Sequence, residues 1–344
     1  MLKIKNFLKK NKISLSRFIS LCLYQREHGV YQNKTIGKHF ITAPEVSQLF
    51  GECISIFLLI LQKKYKISNF CELGPGNGTL MKDMIRTLKK FIDGPFSINL
   101  YEKSEYLRKL QIKNLKKLES EKIEIIFLSK LKLKKEPYLF ICNEFFDALP
   151  INQFEKKNNI WFEKKVIFHK NFKIVNDLTN KKFSDKFSNG DILEESPLTK
   201  LYMKLICKHI KKYGGGILIF DYGPFKKGHV DTLQALHNSQ KCDILDYPFE
   251  SDITYHVNFE EIMKISKDYK LINYGPITQR KFLFFHGINE RLSKLTEKIK
   301  SSKTIHDLEN QFERLTSPYG MGSLIKCLFI SNYKIESRAF DFHE

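Results

Sequence analysis

Phe70-Cys71-Glu72-Leu73-Gly74-Pro75-Gly76-Asn77-Gly78-Thr79-Leu80 decides how this chain is read. An apolar run meets an acid, three glycines alternate, and a helical pattern follows. This is how a parallel strand ends against a nucleotide-like cofactor. The spacing is G-x-G-x-G. It departs from the dinucleotide fingerprint G-x-G-x-x-G, because Thr79 stands where the third glycine would fall. A phosphate-cradling P-loop would need a Lys-Ser/Thr pair, and none follows. S-adenosyl-L-methionine (SAM) fits what remains, since it carries no phosphate and needs close backbone approach. A glycine-rich turn present only for packing is the competing reading of the same residues.

Outward from this stretch, strands and helices alternate. Strands are expected at 68–73, 97–101, 123–128 and 138–142, with helices at 79–91 and 104–118. The wholly apolar run Tyr138-Leu139-Phe140-Ile141-Cys142 suits a strand buried on both faces of a parallel sheet. The fold class is therefore α/β, a doubly wound Rossmann-like sheet. After Pro150 the alternation breaks. Aromatic residues between Lys and Asn turns, with Asn158-Asn159 as a hairpin turn, give a β-rich insertion over 151–190. The parallel pattern resumes with a helix near 197–212 and a strand at 217–220. A long loop over 221–257, a helix from Asn258 and further strands complete the chain.

Ahead of the sheet, residues 1–27 read as two helices broken at Asn11 to Ser14, the second capped by Ser14 or Ser16. Pro44 opens a helix through about Leu61, and Thr42-Ala43-Pro44-Glu45 has capping-box spacing. The expected division is an N-terminal helical segment over 1–62, the first part of the SAM-binding domain over 63–150, the insertion over 151–195, and the second part of the catalytic domain over 196–344.

Composition narrows the function classes. The longest notable apolar run, Ile54 to Leu61, is far short of the ~20 residues that span a bilayer, so no membrane insertion is expected. The formal net charge is +20, but the lysines are spread along the whole chain. Clusters such as Lys132-Leu133-Lys134-Lys135 read as solvated faces, which argues against a nucleic-acid partner. Seven cysteines stand singly, without C-x-x-C or zinc spacing, so a reduced, metal-free chain is expected. The Lys-rich Met1–Lys12 segment lacks the pattern of a cleaved signal. That favours a bacterial cytoplasm, or a mitochondrial matrix if the source is eukaryotic.

Ligands of open parallel sheets bind beyond the carboxyl ends of the strands. Acids stand at nearly every such end here: Glu72, Glu102, Asn143-Glu144 and Asp221. Glu102 can accept both ribose hydroxyls of an adenosine cofactor. Glu72 can face the ammonium of its amino-acid end. Gly74, Gly76 and Gly78, with Asn143, complete the expected cofactor set. In Asn143-Glu144-Phe145-Phe146-Asp147-Ala148-Leu149-Pro150, two acids three apart stand where a substrate would meet a transferred methyl. Paired carboxylates would hold a guanidinium in a fork and fix which nitrogen faces the methyl. The same octet also suits a plain strand-to-turn connection, with both phenylalanines in the core and Asp147 capping a helix. In Asp252-Ile253-Thr254-Tyr255-His256-Val257-Asn258-Phe259, His256 could orient a carboxylate or accept a proton, and Asn258 could cap the next helix. These residues reach a SAM site and an acidic acceptor pocket. They leave open methyl transfer to a protein, to RNA or to a small molecule, and a non-catalytic SAM-binding assembly factor.

Words spread from end to end resemble the SAM-dependent methyltransferases of the MidA type, which include the mitochondrial arginine methyltransferase that assists respiratory complex I assembly. They include Phe40-Ile41-Thr42-Ala43-Pro44-Glu45, Glu72-Leu73-Gly74-Pro75-Gly76-Asn77-Gly78, the octet at Asn143–Pro150, Asp221-Tyr222-Gly223, Asp252–Phe259 and Gly275-Pro276-Ile277-Thr278-Gln279. The resemblance implies a class I methyltransferase sheet and a protein-arginine N-methyltransferase. Its implied acceptor is the omega nitrogen, with symmetric dimethylation in the mitochondrial members, on a client such as a respiratory complex subunit. Glu144 and Asp147 would clamp the guanidinium, and His256 would support the acceptor side. Two words depart from the family: Gly37-Lys38-His39-Phe40 stands where G-D-F is usual, and Gly29-Val30-Tyr31 where G-Y-Y is.

Overall fold

Tyr138–Asn143 is buried along its whole length, as a strand inside a two-sided sheet must be. The computed structural model that contains it describes residues 11–33, 42–184 and 186–340. The helix expected before Asn11 and the Gly37-Lys38-His39-Phe40 word lie outside the described residues. The central sheet has seven strands: β1 (Asn69–Leu73), β2 (Phe96–Tyr101), β3 (Ile123–Leu128), β4 (Tyr138–Asn143), β5 (Gly215–Tyr222), β6 (Ile272–Thr278) and β7 (Ile325–Ser331). Their order is β3-β2-β1-β4-β5-β7-β6. β1 to β5 run parallel, and β7 is antiparallel to both neighbours. The chain winds outward from β1 to β3, then returns to place β4 on the other side of β1. The carboxyl tips of β1 and β4 therefore flank the switch point where such sheets bind ligands.

Each face of the sheet is covered. Helices Gln48–Tyr65, Thr79–Leu88 and Gln279–Phe285 pack on one side, with Phe50 edge-on to Phe220 at 5.1 Å and Phe57 edge-on to Phe329 at 5.0 Å. Helices Pro197–Tyr213 and Phe259–Asp268 pack on the other. Ser14 caps helix Leu15–Tyr24 through Arg17 N–H, and Asn258 caps helix Phe259–Asp268 through Glu261 N–H, as expected.

Three local expectations are corrected. The helix from Pro44 is broken at Ser47, whose backbone is extended (φ −159°, ψ 145°) and whose hydroxyl caps a new start at Gln48. The capping box does not form. Thr42 makes no side-chain cap bond, and Glu45 reaches away to the glycine loop. The loop over 221–257 contains a three-stranded antiparallel sheet (Gln234–His237, Gln240–Cys242, Asp252–Thr254), with strands too short for their alternation to register. The insertion is β-rich as read. Its strands run Asn152–Lys157, Ile160–Phe168, Phe172–Leu178 and Ile192–Glu195, and Asn158 and Asn159 both take positive φ (50° and 60°) at the hairpin turn. Among the described residues no helix is long and apolar enough to cross a membrane, and no side-chain cluster could hold a metal ion.

Candidate active site

The glycine loop leaves β1 under tight constraint. Gly74, Gly76 and Gly78 all take positive φ (66°, 52° and 81°). A Cβ on Gly74 would lie 2.7 Å from Phe145 Cδ2, and one on Gly78 would lie 2.9 Å from Leu115 Cδ1. Only glycine meets both demands at these two positions. The loop carbonyls are pinned by the helix after β2: Gln111 Nε2 donates to Gly76 O at 2.8 Å, and Asn114 Nδ2 to Asn77 O at 3.0 Å. From the opposite side, Glu45 Oε1 accepts from Thr79 Oγ1 at 2.7 Å and from Asn77 Nδ2 at 3.1 Å.

These parts border a cavity of about 320 Å³ at the switch point. Glu72, Gly74, Gly76, Glu102 and Asn143 line it, and so do Glu144, Asp147 and Asp252. Of the expected residues, Gly78 and His256 are not in its wall. Gly78 is the N-cap of helix Thr79–Leu88, where it lets the loop approach Leu115. His256 sits instead by Lys227, which bonds to its carbonyl and ion-pairs with the buried Glu194 at 2.7 Å. Burial first, then the charge of Lys227, holds its imidazole below the usual range. Phe145 lines the cavity, while Phe146 is fully buried in the core.

One half of the cavity is lined by the carboxyls of Glu72 and Glu102. Glu72 Oε2 and Asn143 Oδ1 are buried without a hydrogen-bond partner among the described residues. Two orphaned acceptors on one wall fit the ammonium of a SAM amino-acid moiety. Glu102 Oε1 accepts the N–H of Ser104 at 2.8 Å and faces the same space. Burial pushes the Glu72 carboxyl up to about 8, helped by the charge of Glu102. Burial also pushes Glu102 up to about 7, against the pull of the Ser104 N–H.

The other half of the cavity gathers carboxyls from three strand ends. Glu144 stands just past β4 in a left-handed conformation (φ 47°). Its Oε1 accepts weakly from Ala43 N–H at 3.3 Å and Asn143 Nδ2 at 3.4 Å. Burial pushes its acid up to about 8, with Asp221 and Asp252 adding repulsion. Asp147 is driven well above the usual carboxylate range by burial and by Asp221, Glu144 and Asp252. Burial takes Asp252 up to about 6. Such crowding of desolvated negative charge is relieved by a cation. Asp221 plays a different part: fully buried, it accepts the N–H groups of Phe146, Asp147 and Tyr222 and so fixes the turn that carries Glu144.

Sequence reasoning missed Glu45, Asp252 and Tyr31 as cavity residues. Glu45 was hidden by its capping-box spacing. Asp252 was visible only as the first residue of the His256 word. Tyr31 gave no signal beyond its place in Gly29-Val30-Tyr31.

This sheet order, with a glycine loop after β1 and an acid after β2, defines a class I SAM-dependent methyltransferase fold. Residues 51–277 match the family described as "Putative S-adenosyl-L-methionine-dependent methyltransferase". The chain belongs to that family, and its cofactor is SAM. It is 30% identical over 347 residues to the mitochondrial protein arginine methyltransferase NDUFAF7 homolog of Caenorhabditis elegans, covering 90% of this chain and 81% of that protein. The mouse protein arginine methyltransferase NDUFAF7, also mitochondrial, is 29% identical, covering 82% of this chain and 72% of its own length. A COG1565 superfamily protein of Burkholderia thailandensis, crystallised with S-adenosyl-homocysteine, superposes with a TM-score of 0.85 at 21% identity, covering 99% of this chain and 94% of that one.

Proposed function

We propose that this protein transfers a methyl group from SAM to an omega nitrogen of an arginine in a protein client. The observation that carries the reading is Glu144, held at positive φ beside Asp147 and Asp252 on the wall facing the glycine loop. A non-glycine residue kept in that conformation at a cavity is backbone strain of the kind found at functional sites. The names of the relatives in worm and mouse support arginine as the acceptor. A client among the respiratory complex subunits, and symmetric dimethylation, follow from the family resemblance.

On this reading Glu72 and Asn143 would hold the cofactor's ammonium, Glu102 would accept hydrogen bonds from its ribose hydroxyls, and the glycine loop would line its site. When bound, SAM supplies an electrophilic methyl whose leaving group is a neutral thioether. Glu144 and Asp147 clamp the guanidinium and aim one omega nitrogen along the displacement line, so alignment is the main catalytic contribution. The guanidinium charge draws their protons off on binding. The nitrogen that takes the methyl would have one proton to give up, so that the product guanidinium keeps a single positive charge. On this reading the ionised Glu144 carboxylate, held beside that nitrogen, would accept that proton. His256 lies outside the cavity wall, so these steps are assigned to Glu144 and Asp147 without it. The seven free cysteines fit a reducing compartment such as the bacterial cytoplasm or the mitochondrial matrix.

Mass spectrometry of omega-methylarginine in source cells with and without this protein tests the reading. Loss of specific methylarginine sites is expected. An unchanged methylarginine inventory, with methyl loss at lysine or on RNA, would contradict it.

A further inference from the structure

Tyr31 touches both halves of the cavity at once. Its hydroxyl donates to Asp252 Oδ1 at 2.5 Å, and its backbone carbonyl accepts from Ser104 Oγ at 2.6 Å. Ser104 in turn donates its N–H to Glu102 Oε1 at 2.8 Å. Four residues from three distant segments thus form one line of hydrogen bonds from the ribose-side carboxylate to the acceptor-side carboxylate. None of these bonds belongs to a sheet ladder. The same N-terminal segment adds a second tie, because Tyr24 donates to Ala148 O at 2.8 Å and packs on Tyr31 with ring centroids 5.4 Å apart. The turns bearing Glu102, Asp147 and Asp252 are therefore all held by residues that lie outside the central sheet.

Asp252 is only 3% exposed, among other acids, and needs a donor to remain there as a carboxylate. Tyr31 provides one while being anchored at Ser104. We propose that Tyr31 is a positioning residue that couples the two halves: a cofactor seated on Glu102 fixes Ser104 and Tyr31, and Tyr31 then holds Asp252 ready for a cationic acceptor. The ordering cost is met by the first ligand, so the second binds more tightly, and the effect is reciprocal. The seating of the cofactor on Glu102 and the identity of the acceptor rest on the function proposed above; the hydrogen-bond line itself does not.

Hydrogen exchange on the full chain, with S-adenosyl-homocysteine as the probe, tests the coupling without any acceptor. In the wild type the ligand should slow exchange in peptides spanning 101–107 and also 250–256. Tyr31→Phe should keep the first effect and lose the second. Ser104→Ala, which cuts the line at its other end, should likewise lose the protection at 250–256. Equal protection at 250–256 in wild type and both variants, or none there in the wild type, would overturn the proposal. A second arm titrates a short arginine peptide with and without S-adenosyl-homocysteine. The wild type should bind it roughly tenfold more tightly with the ligand, and Tyr31→Phe at most about twofold. A wild type that protects 250–256 yet binds no arginine peptide would keep the coupling and sink the acceptor assignment instead.

Discussion

Asp221, at the tip of β5, accepts the backbone N–H of Phe146 at 2.8 Å, so the turn bearing Glu144 is fastened to the neighbouring strand by a fully buried carboxylate. The same side chain takes the N–H of Asp147 at 3.3 Å and of Tyr222 at 3.1 Å. Asp221→Ala would strand these donors in the core. We expect a loss of roughly 2–4 kcal/mol in denaturant unfolding. Methyl transfer should vanish in the variant, while S-adenosyl-homocysteine binding, which on the proposed reading draws on Glu72, Glu102 and Asn143 ahead of that turn, survives in calorimetry.

Gly74→Ala forces a side chain onto φ 66° and into the ring of Phe145, 2.7 Å away. The strained backbone should cost about 1–3 kcal/mol in thermal unfolding. Because the loop must shift to relieve the clash, S-adenosyl-homocysteine affinity should fall by more than about tenfold.

Glu45 ties the short helix Ala43–Val46 to the glycine loop through Thr79 and Asn77. Glu45→Gln keeps the size of the side chain and removes its charge. Charge-assisted bonds are about twice as strong as neutral ones, so cofactor affinity should drop by roughly three- to tenfold with little change in melting temperature. A large melting shift with unaltered affinity would assign Glu45 to stability alone.

The raised carboxyls fix the sign of the pH response. Glu72 and Glu144 sit near 8 and Glu102 near 7 in the fold, against 4.5 for an unperturbed glutamate. Between those values the folded chain binds more protons than the unfolded chain, so this contribution to stability is full below about 4.5 and is lost as pH rises toward 8. The free protein's melting temperature should therefore fall from pH 5 to pH 8. Cofactor binding needs Glu72 ionised, so the melting gain given by S-adenosyl-homocysteine should grow over the same range. Glu72→Gln should flatten both trends.

How far the sequence carried depended on range. The strands β1 to β4 were legible because each is an apolar run ended by a turn, and Glu72, Glu102 and Glu144 were legible because a parallel sheet puts its ligand at strand tips. Asn158-Asn159 announced its hairpin through residues that tolerate positive φ. The sheet at Gln234–Thr254 was hidden, since strands of three or four residues carry almost no periodic signal. Glu45 spoke for a local cap, yet its bonds reach 32 and 34 residues along the chain. His256 looked chemical from its neighbours in sequence, but it is not in the cavity wall, and Lys227 bonds to its backbone carbonyl. Tyr31 and Asp252, 221 residues apart, meet only through the fold.

The central claim is that Glu144 and its neighbours receive an arginine beside the cofactor. Its most direct measurement is transfer of labelled methyl from SAM to an arginine-bearing client or peptide, read by mass spectrometry, for wild type and Glu144→Gln. The account predicts omega-methylarginine with the wild type. It predicts at least about a hundredfold loss with the variant, which still binds S-adenosyl-homocysteine. Equal turnover by the two proteins, or methyl found only on a residue other than arginine, would contradict it.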